Sequence, residues 1–223
     1  MLYFGNIIIR GDFMKKMAKK FLVLTLSSMM CISSASTVLA LEATDYTKLS
    51  NDYMYSYSKT HEEVERELKE QINSQVSEIQ KQYSLNRAGE SVDPANWKTE
   101  YGPKKTVTLG GYAGGQVQNG YQFPTGGGFY FSDSGGPSVS VSVNYDIPYT
   151  PVSVSVGLGN SSTSGKFVSV PNKTDYFKLY VSKEVEVQPY ITYTRDSRNS
   201  PWKVYYRGKV QSVLSVSAYA KKV

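Results

Sequence analysis

Two hydrophobic periods divide this chain. Val64, Leu68, Ile72, Val76, Ile79 and Tyr83 follow one another at intervals of three or four residues, and at 100° per residue they fall within an arc of about 120°. The spacing predicts one amphipathic helix from about His61 to Leu85, ~37 Å long. Thr60 and Glu63 form a capping-box pair at its start, and Glu62, Glu63, Glu65 and Glu67 stand near the positive end of its dipole. Asn86, Gly89 and Pro94 supply a stop. So narrow a stripe covers one surface: it docks on the chain's own β-part, pairs with a second helix, or belongs to a removable pro-segment.

Past Lys104 the period becomes two. It is clearest in Ser138 to Val143 and Val152 to Val156, where valine takes one face and serine the other. The intervening Asp146 to Pro151 reads as the loop of an antiparallel hairpin. Further strands are expected at Thr106 to Leu109, Phe129 to Phe131, Lys166 to Val170, Tyr176 to Val181, Val185 to Tyr193, Lys203 to Arg207 and Val210 to Tyr219, and the glycine-rich Gly110 to Gly128 reads as loop. The expected fold is mainly β: an antiparallel β-sandwich, or open barrel, of about seven to nine strands preceded by one long helix.

A third pattern lies ahead of both. Lys15, Lys16, Lys19 and Lys20 precede the apolar run from Phe21, and Val38-Leu39-Ala40 offers a cleavage site, so residues 14–40 read as a secretory signal peptide cleaved after Ala40. Serines interrupt the run too often for a retained span of ~20 apolar residues. Residues 1–13 read as mistranslated leader, since Arg10 to Met14 can be the translation of a purine-rich ribosome-binding site and a start codon. The expected organisation is then leader 1–13, signal 14–40, an acidic helical segment 41–100 and a β-domain 101–223, secreted from a bacterium.

Trimming changes the charge. The whole chain is +6, with 25 Lys and Arg against 19 Asp and Glu; residues 1–40 hold five of the bases and one acid, leaving 20 against 18. Nucleic-acid binding loses its support. Within the remainder, 41–100 carry 7 bases and 12 acids, and 101–223 carry 13 and 6, so an acidic helix is joined to a basic β-part. The one cysteine, Cys31, lies in the signal. Disulfides and thiolate metal sites are therefore not expected.

Ser132-Asp133-Ser134-Gly135-Gly136-Pro137 resembles the GDSGGP signature around the nucleophile of chymotrypsin-like serine proteases. That chemistry needs a histidine base and a carboxylate behind it; the one histidine, His61, stands in the acidic helix. The hexapeptide is read as a turn leading into the serine–valine strand, and no catalytic residue, metal or cofactor is assigned. Binding residues are sought among strand aromatics next to cations: Tyr176, Lys178, Tyr180, Tyr190, Trp202, Tyr205 and Arg207, which could stack on sugar rings and meet anions. The expected function is a secreted, non-catalytic protein that binds envelope polymers or glycans, or assembles at the cell surface through its helix or β-edges. The alternatives are an antibacterial or toxin-like protein with residues 41–100 as pro-segment, and an extracellular hydrolase drawing on Asp133, Asp146, Asp175, Glu184 or Glu186.

Overall fold

A computed structural model describes residues 53–87 and 93–223. The leader, the signal peptide and Gly89 lie outside the described residues. In chain order the elements are β1 (Met54–Ser58), α1 (His61–Asn86), a 3-10 turn (Pro94–Asn96), β2 (Trp97–Tyr101), β3 (Lys105–Tyr112), β4 (Tyr121–Gln122), β5 (Gly128–Ser132), β6 (Ser138–Val143), β7 (Val152–Gly157), β8 (Asn160–Ser162), β9 (Lys166–Ser169), β10 (Tyr176–Thr194) and β11 (Lys203–Lys222). The protein is mainly β, built as a curled antiparallel half-barrel; this is as far as the expectation of a sandwich or open barrel is met. The helix is not the first element, because β1 precedes it and pairs with β11 from Met54↔Tyr219 to Ser58↔Ser215.

Four expected strands merge into two. β10 and β11 pair from Phe177↔Lys222 to Thr194↔Lys203, which makes a ribbon roughly 60 Å long at about 3.3 Å per residue. The polar Ser182-Lys183-Glu184 resembles a break in the sequence, yet the strand continues because Lys183, 6% exposed, meets the Asp133 carboxylate. Gly208 resembles a break as well. It continues the strand because the Tyr190 ring occupies the space its side chain would take, 2.3 Å from where a Cβ would sit. A register shift beside Leu214 lets Val213 and Val216 reach one core, although strict alternation would send them to opposite faces.

β2, β3 and β4 follow one another along the free edge of β10. Phe177, Leu179 and Val181 on β10 pack with Phe129, Phe131 and Val168 of the β8–β5–β9 sheet, and Val185 and Val187 pack with Val154 and Val156 of the β6–β7 hairpin. The hairpin has the expected arrangement: Val143, Val154 and Val156 are buried while the facing serines are exposed.

The helix covers the opposite face of the ribbon. Thr60 and Glu63 make both bonds of the capping box, and Val64, Leu68 and Ile72 are buried against Tyr190 and Val210. Farther along, Tyr83 packs edge-on against Trp97 and Tyr205 at 5.1 and 5.3 Å, so the sequence stripe is used to its end. Charge follows apolar contact: Lys59 pairs with Glu67 at 2.7 Å, Lys104 with Glu65 at 2.6 Å, and Ser212 donates to Glu67.

Candidate binding cleft

The seven expected binding residues fall in three places. Tyr176 is half-exposed where β10 begins, and Lys178 lies over the Tyr112 ring at 4.6 Å. Tyr180, sought as a ligand-binding residue, is 9% exposed because Tyr112 and Tyr219, its neighbours in register, close on its ring at 5.5 and 5.4 Å. At the far end of the ribbon Trp202 stands between Arg195 at 4.4 Å and Lys98 at 5.2 Å. Tyr205 belongs to the Trp97–Tyr83 cluster beside it.

Tyr190 and Arg207 come together in the third place, a cleft of about 470 Å³. One wall is the loop and first residues of β7, Tyr149 to Ser153, and the other is the ribbon at Pro189 to Ile191 and Tyr206 to Lys209, with Gln75 of α1 completing it. Tyr190 is fully buried, and its hydroxyl donates to Gln75 Oε1 at 2.7 Å; desolvation holds that hydroxyl well above the ordinary tyrosine value. The residue is a post between helix and ribbon. Tyr206 lies 6.1 Å from it, ring to ring, and is itself exposed. The Tyr149 ring fits against Gly102, where an added Cβ would meet it at 2.9 Å.

The charges lining the cleft are both positive. Arg207 pairs with Ile191 and Lys209 with Pro189, two positions apart on the same face of β11. Among the described residues neither has a hydrogen bond or ion pair to a carboxylate. Burial pushes the Lys209 ammonium below the ordinary lysine value. Glu100 lies on the far side of Ile191 from Arg207 in the register, and its carboxylate is taken by Lys98 at 2.6 Å. Of the residues lining the cleft, sequence reading names Tyr190 and Arg207 and does not name Lys209, Tyr149, Tyr206 or Gln75. The alternation of β11 pairs Arg207 with Lys209 in the sequence, whereas Tyr149 and Gln75 arrive from elements far along the chain.

The protease-like hexapeptide has a different setting. Asp133 faces Lys183, Ser134 Oγ lies 3.0 Å from Ser132 Oγ, and Gly135 and Gly136 hold positive φ in a turn seated on Gly159. His61 is the first residue of α1 and lies beside Glu65 at 3.3 Å. The remaining carboxylates considered for hydrolysis are also engaged: Asp175 with Lys222, Glu184 with Ser215 and Glu186 with Lys104, while Asp146 sits exposed in the β6–β7 loop. Among the described residues no group of three or more His, Cys, Asp and Glu is placed to hold a metal ion, and no helix is long and apolar enough to cross a membrane. Compared with protein-family models, curated proteins and solved structures, the chain matches none.

Proposed function

We propose that this is a secreted bacterial protein, exported by residues 14–40 and starting at Leu41 after cleavage, that binds a cell-envelope polymer without transforming it. The observation that carries the reading is the cleft, where exposed Tyr206 and half-buried Tyr149 stand beside Arg207 and Lys209. Tyrosine rings offer flat faces to sugar rings, and guanidinium and ammonium groups supply donors that fix the polymer's orientation. A binding role uses these residues as they stand. A hydrolytic one needs a facing pair of carboxylates or a nucleophile with its base; of the acidic side chains named above, Asp133, Asp175, Glu184 and Glu186 are held by cations or a hydroxyl, and Asp146 stands exposed in a loop.

The test is cosedimentation of the full chain with purified bacterial sacculi, together with analysis of the soluble sugars released. Retention on the sacculi without release is expected. Release of soluble fragments by the purified protein would replace this reading with the hydrolase, and growth arrest of neighbouring bacteria would replace it with the toxin. N-terminal sequencing of protein recovered from culture fluid is expected to begin at Leu41; a start beyond residue 100 would instead make 41–100 a pro-segment.

A further inference from the structure

We propose that the cleft is an oxyanion site, in which Arg207 and Lys209 together hold a phosphate or carboxylate group carried on a glycan. The identity of the carrier rests on the envelope-binding reading; the anion site itself rests on geometry.

The case rests on where the two cations lie and on what surrounds them. Arg207 and Lys209 lie two residues apart on one face of a strand, about 7 Å between Cα atoms, a separation at which two long cationic side chains can meet a single oxyanion between them. No Asp or Glu lines the cleft. Of the other partly or fully buried lysines among the described residues, Lys59, Lys98, Lys104 and Lys183 meet carboxylates and Lys178 and Lys221 lie over tyrosine rings; Lys209 does neither.

Physical cost makes that exception informative. A half-buried ammonium with no counter-charge pays part of its desolvation without the compensating Coulomb attraction, and its depressed pKa reports this. An oxyanion brought between Lys209 and Arg207 supplies the missing attraction, and the guanidinium adds two parallel donors that match a phosphate or carboxylate edge. The cleft's volume lies in the range of about 300–1,000 Å³ typical of small-ligand sites, enough for one charged sugar unit or a few, with Tyr149 and Tyr206 beside it. A free inorganic anion and a charged glycan share the chemistry, so the experiment must separate them.

Titration calorimetry on the full chain would use four probes: inorganic pyrophosphate, a glycerol phosphate oligomer, an oligogalacturonate, and a neutral chitooligosaccharide of similar length. The charged oligomers are expected to bind about tenfold or more tightly than the neutral one, with affinity falling as salt rises. Arg207→Ala combined with Lys209→Ala should abolish that preference, and Arg207→Lys with Lys209→Arg should keep most of it; near-UV circular dichroism checks that both fold. Equal binding of the neutral oligomer, unchanged in the alanine variant, would overturn the oxyanion site and leave envelope binding standing. Pyrophosphate binding that requires both cations, with no binding of any oligomer or of sacculi, would support the site and overturn the envelope reading. Binding of no probe at all would overturn the site.

Discussion

At the scale of single residues, two glycines position the cleft's rings. Gly208 accepts the Tyr190 ring and Gly102 the Tyr149 ring, in each case closer than a side chain would permit. Gly208→Ala should push the Tyr190 ring off its seat and loosen its hydroxyl from Gln75, at a cost of about 1–3 kcal/mol. Urea denaturation followed by tyrosine and tryptophan fluorescence measures it, and an unchanged midpoint would mean the ring is not seated there. From sequence alone Gly208 is indistinguishable from a strand breaker, since what it makes room for lies on a neighbouring strand. Asp133 shows the same limitation in reverse. Its hexapeptide invites a catalytic interpretation, and only its position opposite buried Lys183 reveals an ion pair within the β framework.

At the scale of elements, the helix was legible nearly residue for residue. Its cap, its stripe and its end are encoded by residues within four positions of one another, and local hydrogen bonds decide them. The short strands β1, β2, β4 and β8 were not. An edge strand is held by ladder bonds to a partner far along the chain, as Met54 is to Tyr219, and carries little periodicity of its own. What docks the helix beyond its stripe can be tested by acid. Bonds from Lys59 and then Ser212 hold the Glu67 carboxyl below its usual value of 4.5. A depressed carboxylate contributes stability above its unfolded pKa and loses it as pH falls through the folded one, so stability should decline below about pH 4.5. Glu67→Gln should flatten that acid limb and cost about 1 kcal/mol or less at pH 7, since the side chain is 36% exposed and solvent screens it. Denaturant midpoints measured from pH 3 to pH 7 check both parts; an unaltered acid limb would remove Glu67 from the linkage.

At the scale of the whole molecule, the acidic segment and the basic β-part form one unit in the described residues. β1 pairs with β11, α1 lies along the ribbon, and the expected boundary after residue 100 falls inside β2. A chain shortened to residues 102–223 would uncover Tyr190 and Val210 and strip β10 and β11 of edge partners. It is expected to lose cooperative unfolding, with far-UV and near-UV circular dichroism melting apart, whereas the longer chain melts in one transition. A shortened chain that unfolds cooperatively would make the segment a separable appendage. Sequence alone determined the helix, the serine–valine hairpin, the mainly β class and the separation of charge, because each follows from side chains close together along the chain. Only the tertiary structure decided that two long strands form the scaffold, that the helix stripe is spent on them, and that Lys209, Tyr149, Tyr206 and Gln75 line one cleft with Arg207. Those outcomes depend on register and on which distant groups share a face, and such pairings are selected by packing and by the burial of charge rather than by local spacing.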